Sequence, residues 1–200
     1  MAVLPTRGNL IAAKRSLELA STGFELMDRK RNILVREMMG LIDEAEALQS
    51  QIDTVFSEAY AALQQANITL GICDRIAESI DVDDSLKILI RSVMGVEIPT
   101  LQADESQPRL QYGLFQTSAA LDDAMVKFTR AKDLCRQLAE LENTIYRLAA
   151  AIRKTQKRAN ALKNIVIPGY TETVKLINEA LEEKEREEFA RLKVIKSMKK

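Results

Sequence analysis

Apolar residues recur along the first third of the chain in alternating steps of three and four. From Leu10 the series runs through Ala13, Leu17, Ala20, Phe24, Met27, Arg31, Leu34, Met38, Leu41, Ala45, Leu48, Ile52, Val55, Ala59, Ala62, Ala66, Thr69 and Cys73, with only Arg31 and Thr69 polar. A seam of period 3.5 held over this length is the mark of a left-handed coiled coil. Neither proline nor a β-branched run interrupts it, so residues 9–77 read as one helix, on the order of 100 Å long at about 1.5 Å per residue. Thr6, directly after Pro5, is placed to cap that helix. Arg31 on the seam reads either as a snorkelling side chain or as a polar contact that sets register.

The pattern stops near Ala77. Asp81 to Asp84 carries three acids and no helical period. Next comes Leu86-Lys87-Ile88-Leu89-Ile90-Arg91-Ser92-Val93-Met94, then Gly95 and Val96-Glu97-Ile98-Pro99. Two β-rich runs around a glycine predict a small hairpin whose second strand Pro99 closes. Such a hairpin is marginal alone and must lean on a helix or a partner. Gln102 to Pro108 is polar and reads as a loop.

Helical periodicity resumes near Tyr112 through Leu121, Phe128, Ala131, Cys135, Leu138, Leu141, Ile145, Leu148, Ile152, Ala159, Leu162 and Val166. One phase slip, between Leu138 and Leu141, predicts a local shift in packing. Pro168-Gly169 is expected to break or kink the helix, with Thr171 capping a further segment through Val174, Ile177, Leu181, Leu192 and Ile195. Glu182 to Glu188 is almost wholly polar and buries little. The fold class is therefore all-α: a single elongated domain over 1–200, folded back as an antiparallel two-helix coiled-coil hairpin. Its expected parts are a first helix (9–77), an insert with a short β-hairpin at the turn end (78–111) and return helices (112–197) broken near Pro168. Both termini would lie at one end. Cys73 and Cys135 fall too far apart along such a shaft for a disulfide and read as small seam residues.

Composition agrees and narrows the chemistry. Seven glycines and four prolines in 200 residues are roughly half the ~12% of an ordinary chain. Few turn-formers beside 29% charged residues mean long helices with few corners, and exclude sandwiches, barrels and doubly wound sheets. With His 0, no imidazole serves as base, proton shuttle or metal ligand, and two cysteines build neither a zinc site nor a disulfide framework. The glycines are scattered, so no phosphate loop forms. The adjacent acids Asp83-Asp84 and Asp122-Asp123 diverge on a helix and read as solvated charge. No apolar run approaches the ~18 residues of a membrane span, and nothing resembles a signal peptide. Lys+Arg 29 balances Asp+Glu 29, without the basic excess of a nucleic-acid protein. Arg29-Lys30-Arg31 and the set Arg153, Lys154, Lys157, Arg158 lack interleaved aromatics and read as solvated or protein-facing.

Local sequence goes further than periodicity. The amino end reads Pro5-Thr6-Arg7-Gly8-Asn9-Leu10, then Leu17-x-x-Ala20-x-x-Gly23-Phe24-x-Leu26-Met27-x-Arg29-Lys30-Arg31-x-x-Leu34. This resembles the D subunit of the V-type and A-type rotary ATPases, whose first helix has a small-residue, basic-basic pattern before a long heptad run. Ser92-Val93-Met94-Gly95-Val96-Glu97-Ile98-Pro99 is similar to the family's hydrophobic-Gly-Val-x-hydrophobic-Pro element. Lys157-Arg158-Ala159-Asn160-Ala161-Leu162 with Ile165-Val166-Ile167-Pro168 resembles its Arg-Val-Asn-Ala-Leu and Ile-Ile-Pro signature. Glu182-x-x-Glu185-Arg186-Glu187-x-x-Phe189-x-Arg191-Leu192-Lys193 resembles its acidic-Arg-Glu tail. Lys157, Ala159 and Gly169 depart from the usual arginine, valine and basic residue, and 104–121 carries little family signal.

The resemblance implies a non-catalytic central rotor shaft. Its terminal helices would stand in the hexamer of catalytic A and B subunits. Its lower part would bind the small stalk F subunit and sit in the funnel-shaped subunit above the membrane ring, on the cytoplasmic side, with no membrane insertion and no nucleic acid. The candidate partner-binding residues are Ile88, Ile90, Val96 and Ile98 in the hairpin, with Arg29, Lys30, Arg186 and Arg191 in the matching charged segments. No catalytic residue, cofactor or metal is expected. A coiled-coil chaperone or tethering protein shares the heptads but has no reason for the carboxyl-side signature. A membrane-curving helical dimer needs a basic face that zero net charge argues against.

Overall fold

The computed structural model describes residues 4–80, 86–102, 112–113 and 117–198. It comprises two compact units, Met1–Ile33 with Ile152–Lys200, and Leu34–Ala151. Helix α1 (Arg7–Leu70) contributes to both. The expected cap forms: Thr6 Oγ1 accepts the Asn9 N–H at 3.2 Å, satisfying a donor that the first turn leaves without an intrahelical partner. Every position of the 3–4 series from Leu10 to Ala66 is buried or half-buried. Thr69 is exposed and returns its hydroxyl to the Ala66 carbonyl at 2.9 Å.

In the terminal unit, α1 packs antiparallel against the end of α3 (Ala119–Ala161), a π-helical turn (Leu162–Val166) and α4 (Ile167–Met198). Residue numbers in its cross-contacts fall along one side as they rise along the other. Arg7 Nη2 meets Glu185 Oε1 at 2.7 Å, the Lys163 ammonium lies 5.9 Å from the centre of the Phe24 ring, and Arg31 reaches Gln156. A Cβ at Gly23 would stand 3.9 Å from Leu162 Cδ1, so the helices meet there at ordinary contact distance.

In the middle unit, Phe56 and Tyr60 of α1 pack edge-on against Phe128 of α3, centroids 6.5 and 5.4 Å away. Where the phase slip was expected, an open groove of about 450 Å³ runs between Ile42, Ala45 and Gln49 on one helix and Leu138, Glu142 and Ile145 on the other. Small and polar side chains leave the seam unfilled there. A core of Ala66, Cys73, Tyr112 and Leu121 closes the region after α1, and both cysteines are free.

The structure moves two of the expected helix boundaries. α1 ends at Leu70 rather than near residue 77, because Gly71 turns at φ +80°, a conformation that only glycine adopts without strain. A short α2 (Asp74–Ala77) follows. The return helix begins at Ala119, not Tyr112: Tyr112 is instead a buried plug whose hydroxyl donates to Asp122 Oδ1 at 2.6 Å. Asp122 is thus a buttress, not plain solvated charge, while Asp123 pairs with Lys127 at 2.7 Å.

Pro168 does not break the helix. The Ile167 N–H reaches back five residues to the Leu162 carbonyl, and the widened turn absorbs a proline that cannot donate. Thr171 accordingly lies inside α4, its hydroxyl donating to the Ile167 carbonyl at 2.8 Å, and caps nothing. Asp81 to Asp84 and the loop beyond Gln102 lie outside the described residues.

The hairpin forms as expected, from β1 (Lys87–Val93) and β2 (Val96–Gln102). Met94 and Gly95 both have positive φ, 52° and 73°, the signature of a type I′ turn. Pairing alternates outward from Val93–Val96, so Pro99, opposite Ile90, occupies a position where no ladder N–H is needed. The strand therefore continues past Pro99 to Gln102 instead of closing at it.

Candidate functional site

The register of the hairpin divides the four apolar residues expected to act together. Ile88 and Ile90 share one face with their partners Leu101 and Pro99, whereas Val96 and Ile98 lie on the opposite face beside Val93 and Arg91. Ile98 is only 3% exposed and Val96 half-buried, so Ile98 is part of the packing, not of a docking surface. Ile88 and Ile90 are 65% and 68% exposed. The whole of β1 up to Ser92 is exposed, and its outer edge has no strand beside it among the described residues.

Two side chains of α3 hold the other edge. Arg147 Nη1 donates to the Glu97 carbonyl at 3.1 Å, and the Leu101 N–H donates to Glu140 Oε2 at 3.1 Å. Glu97 and Leu101 occupy the positions whose backbone groups point away from β1, so α3 satisfies what the ladder leaves open. Glu140 and Arg147 stand seven residues apart, two turns along one helix face. Their spacing was visible in the sequence, but nothing there linked it to a strand edge.

Arg31 resolves toward the register-setting alternative. Its Nη1 donates to Gln156 Oε1 at 2.8 Å across the pair, while Nη2 meets Asp28 Oδ1 at 2.6 Å. Asn32 accepts from Nε at 3.3 Å and from Nη2 at 3.0 Å, and Gln156 Nε2 donates on to Asn160 Oδ1 at 2.8 Å. A polar group set in an apolar seam and bonded across it penalises every shifted register.

The remaining candidates lie in the same unit and on its surface. Arg29 stands 4.0 Å from Glu25, and Lys30 is half-buried. Arg186 and Arg191 face Glu182 and Glu187 at 3.9 and 3.5 Å on the same helix, exposed pairs worth only a few tenths of a kcal/mol that leave the guanidinium groups open to other partners. All of α4 after Leu181 is exposed, including Phe189 at 71% and Leu192 at 64%. Leu192 and Ile195, expected on the seam, pack against nothing described. α1 begins at Arg7, already opposite Glu185. Tyr146 and Tyr60 are exposed aromatic residues as well.

The Tyr112 hydroxyl has a displaced titration: burial first, then its hydrogen bond to Asp122 and that carboxylate's charge, push it up to about 12. This is a structural effect in the core. Among the described residues no cluster of three potential metal ligands occurs, and no helix is long and apolar enough to cross a membrane.

The family model for the ATP synthase D subunit matches residues 9–197. A V-type ATP synthase D subunit from Thermotoga neapolitana is 47% identical over 198 residues, 98% of each chain. A-type ATP synthase D subunits from Thermococcus kodakarensis and Methanopyrus kandleri are 38% and 36% identical, each over 98% of this chain and over 94% and 86% of their own length.

Proposed function

The chain belongs to the ATP synthase D-subunit family, and on that premise we propose that it is the central shaft of a V/A-type rotary ATPase. In this reading it is non-catalytic and carries torque between the hexamer of A and B subunits and the membrane ring. The observation that carries the reading is the polar lock between Arg31 and Gln156 within the antiparallel terminal unit. Two helices transmit torque as one body only if neither slides along the other. Apolar packing resists separation but tolerates a shift of one heptad, whereas a displaced Arg31 keeps its own-helix partners Asp28 and Asn32 but loses the bond across the pair to Gln156, which no apolar residue of the seam replaces.

The remaining candidates take roles within this frame. The exposed Ile88–Ile90 face of the hairpin is the surface for the F subunit. The end of α4, with Arg186 and Arg191, and the early part of α1, with Arg29 and Lys30, contact the hexamer. The funnel-shaped subunit above the ring receives the lower part, on the cytoplasmic side.

Purifying the tagged chain from its host and identifying what accompanies it tests the proposal. Co-recovery of the A, B and F subunits supports the shaft; recovery of unrelated cargo without them overturns it in favour of a tethering coiled coil. Titrating the isolated chain with Mg-ATP is expected to give no saturable heat, and a micromolar site would contradict a non-catalytic role.

A further inference from the structure

The neutrality of this chain is a cancellation. The terminal unit, residues 1–33 with 152–200, carries 19 Lys and Arg against 10 Asp and Glu, a net +9. The middle unit, 34–151, carries 10 against 19, a net −9. Charge of one sign gathered in one unit destabilises it by self-repulsion and has its use in association with a surface of the other sign.

Within the terminal unit the positive charge concentrates at one level. No acidic residue occurs from 152 to 171, and Arg153, Lys154, Lys157 and Arg158 are all exposed. Thr155 and Ala159, between them, form the buried side of the same helix. Among the described residues none of the four cations has an ion pair. Arg153 with Lys157, and Lys154 with Arg158, stand four apart with like charge, an arrangement that weakens a helix and gains nothing within the chain. The Arg31–Gln156 bond sets the 29–31 turn of α1 beside this stretch of α3, so Arg29 and Lys30 extend the same belt. The nearby acids are already committed: Asp28 to Arg31 at 2.6 Å, and Glu25 to Arg29 at 4.0 Å.

We propose that this belt, Arg29 and Lys30 with Arg153, Lys154, Lys157 and Arg158, is a docking surface for a carboxylate-bearing protein surface of the ATPase assembly. The inference rests on the shaft reading above and adds the chemistry of the contact. Protein is favoured over nucleic acid because neither 26–33 nor 152–166 contains an aromatic residue on which a base could stack. Leu26 and Ile33, 58% and 41% exposed, bracket Arg29 and Lys30 on α1, and arginine interleaved with apolar side chains is the composition of a protein interface. A lipid surface is disfavoured because the α3 side of the belt presents charge without apolar residues to insert.

The test adds the full-length chain back to the A/B hexamer prepared without it and follows association across salt from about 0.05 to 0.3 M. The comparison is the variant Arg153→Gln/Lys154→Gln/Lys157→Gln/Arg158→Gln, checked by circular dichroism for unchanged helix content. Wild type is expected to associate on the order of ten-fold faster than the variant at low salt and to lose that advantage as salt rises. A charge-retaining Arg153→Lys/Arg158→Lys variant should behave as wild type. If the glutamine variant matches wild type in rate and salt dependence, the belt is not the contact, although the shaft reading stands. If wild type itself fails to join the hexamer, the shaft reading falls and the belt proposal with it. A single-stranded oligonucleotide that binds the wild-type chain as tightly as the hexamer does would assign the belt to nucleic acid instead.

Discussion

Single side chains decide two properties of this protein that an apolar repeat leaves open. Arg31 selects the register, and its bond to Gln156 can be weighed directly. A double-mutant cycle of Arg31→Ala and Gln156→Ala, read by chemical denaturation, should give a coupling of about 0.5–1.5 kcal/mol, since the guanidinium is only partly shielded. Additive single effects would mean the bond does not constrain the pair. Tyr112 decides how the turn region closes. Its titration lies near 12 in the folded chain, above the value of about 10 for a free phenol. The folded state thus favours the protonated form. The resulting stability is fully present below about pH 10 and is lost as pH rises toward 12. Unfolding midpoints should hold to pH 9 and fall above pH 10 in wild type, with the fall much reduced in Tyr112→Phe. That variant starts lower by about 1 kcal/mol for the lost hydrogen bond to Asp122.

Among the elements, the return segment shows how a helix survives a proline. The π-turn over Leu162–Val166 lets Ile167 bond to Leu162 and carries the chain past Pro168, at the cost of poorer hydrogen-bond geometry than an α-turn. Pro168→Ala restores the missing donor and should stabilise the terminal unit by about 1–3 kcal/mol, with slower amide exchange over 163–168. Unchanged exchange there would show that the π-turn has a cause other than proline. The hairpin turn offers a second measurement. Met94 sits at φ 52° where asparagine is preferred, so Met94→Asn should slow amide exchange across β1 and β2 and stabilise the turn by several tenths of a kcal/mol.

For the whole molecule, the proposed division of labour predicts opposite outcomes for two variants. Truncation after Leu181 removes a stretch that is exposed throughout; it should leave binding of the F subunit intact and weaken rotation-coupled ATP turnover. Ile88→Asp with Ile90→Asp places charge on the open hairpin face without touching the buried Ile98. This pair should weaken binding of the F subunit or slow ATP turnover in the reassembled complex while sparing the helical pairing. Pull-down of the F subunit and ATPase rate in the reassembled complex, measured on both, decide the matter; the reverse pattern would mean that the two surfaces have been assigned the wrong way round.

Periodicity by itself determined which face of each long helix is buried, because a 3–4 repeat has one geometric solution and the buried series from Leu10 to Ala66 follows it position by position. The cap at Thr6, the hairpin around Met94–Gly95 and the family were legible for the same reason: each rests on residues adjacent in sequence. Tertiary structure alone decided what depends on a distant partner. The sequence could not show that Tyr112 leaves the helix for the core, or that α3 satisfies β2 through Glu140 and Arg147 and so turns Ile98 inward. Leu192 and Ile195 continue the repeat but, among the described residues, have no helix opposite them, since α1 begins at Arg7. Periodicity records which side chains a helix can bury; burial itself needs a second surface, and the chain supplies one only where it has folded back.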